Sequence, residues 1–207
     1  MKTVNFEKQG KKIPHNLENP IDNSIIYWGR KLFPFFHALH LTANGLTTIS
    51  LILGLGSCYS FYTKSFKVAG FLYFAAYIFD VLDGNYARTY NSVSKFGDYY
   101  DHYKDLIVNL ILGGIVLTHH TYSVSTLYVL LSITLLLFTT MYIHLGCQEI
   151  YVKQQNNSKN KSDYLSNITG LIPSSWLPYM GILRYGGCGT FAVWISILLI
   201  GNSSEFL

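Results

Sequence analysis

The stretch VAGFLYFAAYIFDVLDG, residues 68–84, is apolar for most of its length and becomes acidic at its end. A helix needs about 20 mainly apolar residues to cross the hydrocarbon layer of a membrane. Asp80 and Asp83 come where such a helix would leave that layer. The stretch therefore predicts a membrane helix, over about residues 68–90, that carries carboxylates at one end.

The composition of the whole chain agrees with a membrane protein. Its 207 residues are 50% hydrophobic and only 13% charged, and the mean hydropathy is +0.25, which is unusual for a soluble domain. Further spans are predicted at about 42–61, 94–118, 125–146 and 181–201. Pro173 and Pro178 interrupt the segment before the last of these, so the predicted fold is an all-α integral membrane bundle of five to six transmembrane helices.

The N-terminal segment, residues 1–36, is predicted to stay outside the bilayer core. Residues 21–36 mix apolar and aromatic side chains with Asp22, Arg30 and Lys31, a pattern typical of an amphipathic helix in the headgroup layer. An extension of the first span is the alternative. Residues 37–207 then form one transmembrane domain.

Basic residues predict the orientation, because Lys and Arg are retained on the cytoplasmic side of membrane proteins. They precede the first span and recur after the second and fourth spans, whereas Lys64 and Lys67 fall on the opposite side. The N-terminus and the acidic end of the second span are therefore expected in the cytoplasm, with the host membrane left open. A net charge of +4 suits anionic membrane lipids as partners, and no nucleic-acid partner is expected.

Four carboxylates are expected to converge at this end of the bundle. Helical spacing puts Asp80 and Asp83 on one face of the second span, and Asp101 and Asp105 on one face of the third. The two helices are joined by a short turn, which predicts antiparallel neighbours. Each charge at the centre of a membrane helix costs about 2.5–3.5 kcal/mol, so cations must compensate. Ligands that are all oxygen favour Mg²⁺ or Mn²⁺, and two such ions suit a phosphoryl group.

Small residues share the faces that carry the acids. Gly84, Ala87 and Gly97 leave space for a ligand to approach the backbone, although small residues also permit close helix packing. Arg88 is a natural partner for a phosphate group. Lys104 is expected to point about 100° away from the neighbouring aspartate and is given no role.

The stretch from Asp80 to Asp105 resembles the signature of the CDP-alcohol phosphotransferase (CDP-alcohol phosphatidyltransferase) family. That signature is DxxDGxxAR, eight residues, then GxxxDxxxD, and this sequence has the specified residue at every position. The resemblance implies a metal-dependent enzyme of phospholipid biosynthesis. It would transfer a substituted phosphoryl group from a CDP-alcohol to an acceptor hydroxyl and release CMP.

The resemblance also implies residue roles. Four acids would bind the metal ions, and one of them would also be the general base; four residues would contact the nucleotide. These are Asp80, Asp83, Asp101 and Asp105 for the ions, Asp105 as the base, and Gly84, Ala87, Arg88 and Gly97 for the nucleotide. Whether the donor is CDP-diacylglycerol, CDP-choline or CDP-ethanolamine stays open, as does the acceptor, and a homodimer is suggested.

Two further polar residues are candidates for contacts with the acceptor or its phosphate. Arg184 lies beside glycines near the cytoplasmic edge of the last span, where it could anchor a lipid or acceptor phosphate. Asn44 lies at the entrance of the first span. Topology alone would also place both residues there.

Two other functions remain open at this point. The acids could form an ion-binding relay in a cation transporter, or the chain could be an inactive relative that keeps only the fold. The glycines, alanine and arginine at signature spacing favour the transferase. Binding of a cytidine nucleotide would separate the transferase from a transporter.

Overall fold

A computed structural model describes residues 10–156 and 172–202. Within those ranges the regular structure is helical, as the sequence predicts. The α-helices are α1 (Pro20–Gly29), α2 (Phe33–Ala38), α3 (Ala43–Tyr62), α4 (Phe66–Thr89), α5 (Lys95–His119), α6 (Val124–Asn156), α7 (Met180–Leu183) and α8 (Cys188–Gly201). Short 3₁₀ turns occupy Arg30–Leu32, Ser174–Tyr179 and Arg184–Gly186.

Polar side chains cap the helices that lead into the site. The Thr42 hydroxyl accepts a hydrogen bond from the Gly45 amide at the start of α3, and the Ser94 hydroxyl accepts one from the Gly97 amide at the start of α5. Each cap satisfies one of the amides that lack a partner in the first turn of a helix. The starts of α3 and α5 are therefore fixed by the sequence.

Helix α4 is the centre of the bundle. It packs most extensively against α3 and α8, whereas α5 packs chiefly against α3. Nine buried side chains from these four helices form the larger core: Cys58, Phe61, Phe66, Ala69, Tyr73, Val108, Leu112, Ala192 and Leu199. The sequence predicts α4 and α5 as neighbours, and their side chains do meet, as in the hydrogen bond from Tyr73 to Asn109. The backbone of α5 nevertheless packs chiefly on α3, and a cavity separates part of α5 from α4.

The N-terminal segment is tied to the bundle through α1. Asn19 caps α1 and also donates hydrogen bonds to the Arg184 carbonyl and the Thr190 hydroxyl. The Tyr77 hydroxyl of α4 donates to Asp22 over 2.6 Å. The large aromatic side chains of α1, Tyr27 and Trp28, are exposed, which suits a helix lying at a lipid headgroup layer.

Among the residues that the structure describes, three helical segments are long and apolar enough to cross a membrane: Ala43–Tyr62, Val124–Gln155 and Ser174–Gly201. The last joins the proline-containing turn to α8, so that turn belongs to the C-terminal span rather than to a separate one. Helices α4 and α5 have the length of a span, but their charged residues lower their apolar character. The chain is an all-α integral membrane protein, and the spanning of the bilayer by α4 and α5 stays a prediction.

Candidate active site

A tight turn returns the chain from α4 to α5 on the acidic side of the bundle. The Ser92 amide donates a hydrogen bond to the Ala87 carbonyl over 2.8 Å, and Asn91 has a φ of +53°, a backbone conformation that Asn tolerates better than most residues. The turn places the first two turns of α5 beside the last two turns of α4. The acids of both helices therefore face the same space.

Three of the four predicted acids meet there. Asp80, Asp101 and Asp105 each offer a carboxylate oxygen within 4.8 Å of the others. We call these three residues the acid group. Their side chains are 19%, 29% and 50% exposed, respectively, so Asp105 is the member that is most open to a reactant.

Asp83 lies outside the acid group. It is buried, and its Oδ2 atom accepts a 2.6 Å hydrogen bond from the hydroxyl of Thr47 on α3. A buried carboxylate is stable only when such a donor satisfies it. Thr47 therefore fixes the orientation of one predicted metal ligand.

Lys104 lies within the acid group, contrary to the sequence-based expectation that it points away. Its ammonium group forms ion pairs with Asp80, with Asp101 at 3.2 Å and with Asp105 at 2.9 Å. It also donates a 3.2 Å hydrogen bond to the Ser50 hydroxyl of α3. The expectation was wrong because the helical angle fixes only where the side chain starts. The flexible four-carbon stem of a lysine can carry its charge around the helix surface.

A cation is compatible with the oxygens of this group. Asp101 Oδ1 is a buried atom that accepts no hydrogen bond in the part of the chain that the structure describes, although Lys104 Nζ lies 3.2 Å away. A buried carboxylate oxygen without a hydrogen bond is costly unless another cation binds it. The donor set consists of carboxylates, which suits Mg²⁺ or Mn²⁺.

Gly84 and Arg88 are brought together, as their shared helix face predicts. A β-carbon at Gly84 would lie 3.3 Å from a guanidinium nitrogen of Arg88. The Arg88 Nε atom donates a 2.7 Å hydrogen bond to the carbonyl of Gly10, which also accepts one from the Asn85 amide. The N-terminal segment therefore holds the arginine in place beside the glycine.

Gly97 and Asn44 also meet, across the interface between α5 and α3. A β-carbon at Gly97 would lie 2.9 Å from Asn44 Oδ1, so a larger residue there would require the Asn44 amide to shift. Ala87 is half-buried on α4, where its carbonyl supports the turn to α5. The candidate nucleotide contacts thus lie on the same two helices, α4 and α5, as the acid group.

Arg184 lines a cavity of about 830 Å³ together with Lys11, His15, Arg30 and Lys31. We call it the basic cavity. Burial lowers the pKa of Lys11, and the charge of Arg30 adds to this effect, although Glu18 opposes it. This cavity is strongly basic, and it lies between the N-terminal segment, α1 and the start of the C-terminal span. The structure therefore places Arg184 apart from the acid group.

An apolar cavity of about 720 Å³ extends from the acid group into the bundle. Asp80, Lys104 and Asp105 line its polar end. Apolar side chains from α5, α6 and α8 line the rest, among them Leu112, Leu131, Phe138, Phe191 and Leu198. A molecule with a charged head and a hydrocarbon tail matches this distribution.

Sequence reasoning assigned no role to the supporting residues of the site, Thr47, Ser50, Gly10 and Asn85. Gly10 carries no pattern that marks it in a single sequence, and Asn85 occupies an unspecified position of the motif. The small hydroxyl residues of α3 lie at the spacing Thr47 to Ser50, three residues apart, on the face that meets α4 and α5. That polar stripe in an otherwise apolar span was the available signal.

Two comparisons show which known proteins this chain resembles. The chain is 34% identical over 85 residues to archaetidylinositol phosphate synthase of Pyrococcus horikoshii, an alignment that covers 38% of this chain and 45% of that protein. The chain thus matches less than half of the length of this relative. No solved structure shows a significant match. The sequence pattern of CDP-alcohol phosphatidyltransferases, however, matches residues 40–200, which include α3 to α7, all but the last residue of α8, and every residue of the acid group. The chain therefore belongs to the CDP-alcohol phosphatidyltransferase family.

Proposed function

We propose that this protein transfers a substituted phosphoryl group from a CDP-alcohol to the hydroxyl of an acceptor in phospholipid biosynthesis. The acceptor oxygen forms a bond to the phosphorus that carries the alcohol. The bond from that phosphorus to the oxygen shared with CMP breaks, and CMP leaves with the electron pair. The observation that carries this proposal is the acid group, built from the family signature on two helices.

Asp105 is the proposed general base. It is the most exposed carboxylate of the acid group and lines the polar end of the apolar cavity, where an acceptor hydroxyl could approach it. A carboxylate within hydrogen-bond reach of a hydroxyl can accept its proton as the new bond forms. The proton of the acceptor therefore goes to Asp105.

The proposed nucleotide contacts are Gly84, Ala87, Arg88 and Gly97. The small residues allow a ribose or a phosphate to approach the backbone. The Gly10 carbonyl holds Arg88 through Nε, which leaves the outer guanidinium nitrogens beside Gly84 as donors for phosphate oxygens. This arrangement supports the binding of a nucleoside diphosphate next to the acid group.

The proposed cofactor is Mg²⁺ or Mn²⁺, held by Asp80, Asp101 and Asp105, with Asp83 as a further ligand. When bound, the metal supplies positive charge that neutralises the phosphate oxygens. The unsatisfied Oδ1 atom of Asp101 supports a cation at this position. The two ions expected from the sequence are considered again below.

A lipid is the proposed class for at least one substrate. The apolar cavity that opens at Asp105 has room for hydrocarbon, and the name of the archaeal relative refers to an inositol phosphate lipid. CDP-diacylglycerol fits this cavity as a donor. CDP-choline or CDP-ethanolamine would require a lipid acceptor instead, such as diacylglycerol.

Asn44 and Arg184 are proposed as acceptor or phosphate contacts of different kinds. Asn44 lies beside Gly97 at the edge of the acid group, so it could bind the acceptor directly. Arg184 lies in the basic cavity, where a phosphate on an acceptor or a lipid would be attracted. The cytoplasmic orientation and a homodimer stay predictions from the sequence and the family resemblance.

The proposal is tested by CMP release from the purified full chain in detergent with Mg²⁺ or Mn²⁺. CDP-diacylglycerol, CDP-choline and CDP-ethanolamine are each offered with glycerol phosphate, inositol, serine or diacylglycerol as acceptors. We expect turnover with one donor, its dependence on a divalent ion, and a decrease of about 10²–10⁴-fold in Asp105→Asn.

Asp98→Asn is the matched control, since Asp98 lies on α5 but outside the acid group. It should keep turnover close to that of the unmodified chain. No CMP from any pair, with no binding of cytidine nucleotides, would rule out the transferase. Transport of a cation across vesicles by the same preparation would then favour the ion-relay alternative.

A further inference from the structure

Lys104 has the surroundings of a bound cation. Four oxygen atoms from four residues face its ammonium group: one each from Asp80, Asp101 and Asp105, and the hydroxyl of Ser50. The three carboxylates are the same ones that could hold a metal ion. The lysine therefore already uses part of the coordination that the acid group offers.

Lys104 cannot easily leave this position. The residue is only 2% exposed, and α3 covers it through Ser50, whose hydroxyl donates a 2.9 Å hydrogen bond to the Ala76 carbonyl of α4. The Ser50 oxygen is thus fixed between two helices with a lone pair directed to the ammonium group. The ammonium group is therefore held by charge from the acid group and by a fixed hydroxyl from α3.

The charges at the site favour one divalent ion beside this lysine. Asp80, Asp83, Asp101 and Asp105 together carry four negative charges, which two divalent ions would neutralise without any lysine. Lys104 adds a permanent positive charge that would repel a second ion at close range. A single divalent ion with Lys104 nearly balances the four acids and leaves the site able to accept the phosphates of a donor.

We propose that Lys104 takes the place of one of the two divalent ions, so that the site binds a single ion. This inference rests on the proposed function, since it concerns the same acids. It assigns Lys104 as a positioning residue, which holds the carboxylates of α4 and α5 together and provides the positive charge of the missing ion. Asp101 Oδ1, which accepts no hydrogen bond from the described residues, and the carboxylate oxygens that do not face Lys104 then remain for the one metal.

The number of bound ions tests this assignment directly. The purified full chain in detergent is titrated with Mn²⁺, and free Mn²⁺ is counted by electron paramagnetic resonance. We expect one Mn²⁺ per chain for the unmodified protein and two per chain for Lys104→Met, which removes the charge and keeps much of the volume. Lys104→Gln is a second variant, which also lacks the charge but keeps a hydrogen-bond donor.

Lys95→Met is the matched control, because Lys95 is an exposed lysine at the start of the same helix. It should bind one ion, like the unmodified chain. Two ions in the unmodified chain, or one ion in both a folded Lys104 variant and the unmodified chain, would overturn the assignment and leave the transferase proposal intact. No bound ion at all, together with CMP release that needs no metal, would overturn the proposed metal dependence as well.

Discussion

Helix α6 and the helix pair α4 and α5 differ in where they put their polar and apolar side chains. In α6 the apolar side chains face outward, and Leu135 is 66% exposed. In α4 and α5 the ionisable residues Asp83 and Lys104 are buried. A soluble protein would show the reverse pattern.

The difference between α6 and the pair α4 and α5 follows from whether their side chains contact lipid or the interior of the bundle. Lipid chains are as apolar as leucine, so α6 gains little by turning its leucines inward. A charge in lipid is expensive, so charged residues of a span face the bundle interior and pair with one another. In this molecule the buried charges therefore mark the proposed active site, and α6 forms a wall of the apolar cavity.

Among changes that reverse this pattern, Leu135→Arg should have the largest effect, which is a loss of membrane insertion. It places a charge on the exposed face of α6, at a cost of about 2.5–3.5 kcal/mol for membrane insertion. The measurement is the fraction of the chain that resists carbonate extraction from membranes. Leu135→Phe is the control and should insert normally. Equal insertion of the arginine variant would mean that this face of α6 does not contact lipid.

Thr47→Val should have the next largest effect, on the stability of the folded chain. It removes the hydrogen-bond donor to a buried carboxylate while keeping the shape of the side chain. Loss of the 2.6 Å hydrogen bond to Asp83 should lower the free energy of unfolding by about 1–3 kcal/mol. Thermal unfolding in detergent would show this as a lower midpoint. Thr48→Val, at an exposed neighbouring position, should change the midpoint little; similar effects of both variants would contradict the role of Thr47.

Asp22 should make stability depend on pH, by about 1 kcal/mol per pH unit. Burial, aided by the charge of Glu18, raises the pKa of Asp22 from 3.8 to about 7. Between these values the folded chain holds a proton that the unfolded chain has lost. This contribution to stability is therefore complete below about pH 4 and is lost as the pH rises through about 7.

Asp22→Asn tests this dependence, since its amide oxygen can still accept the hydrogen bond of Tyr77. Thermal midpoints of both proteins are compared from pH 5 to pH 8. The unmodified chain should lose more stability than the variant as the pH rises. Parallel curves would show that Asp22 is ionised in the folded protein throughout this range.

Leu136→Ala should have the smallest effect, changing the free energy of unfolding by less than about 0.5 kcal/mol. Leu136 is exposed on α6, so alanine exchanges only contacts with lipid or detergent. Leu112→Ala is the comparison, because Leu112 is buried in the larger core and its truncation leaves a cavity. Equal midpoints for both variants would contradict the view that packing, rather than apolar character, stabilises this bundle.

The helices and the meeting of the acids could be predicted from the sequence. Apolar runs of sufficient length fix α3 and α6, and helical spacing put Asp80, Asp101 and Asp105 on faces that do meet. The family motif then named the residues around them. These features depend on local periodicity, which a single sequence contains.

The internal contacts of the site could not be predicted in the same way. Lys104 reaches the acids through its flexible side chain. A helical wheel predicts the direction in which a side chain leaves the helix, but not where its charged end lies. The packing of α5 on α3 depends on side-chain shapes at positions far apart in sequence. The pairing of Asp83 with Thr47 joins residues 36 positions apart, with no motif to connect them.

Gly10 has a consequence for how the protein can be produced and altered. Its φ of +63° favours glycine, and a β-carbon there would lie 2.7 Å from the Asn85 carbonyl oxygen. Its own carbonyl holds Asn85 and Arg88 of the signature. An expression design that trims the amino terminus past this residue would remove the partner of Arg88 Nε while leaving every described helix whole. If the proposed nucleotide site is correct, such a shortened chain should bind a cytidine nucleotide more weakly than the full chain.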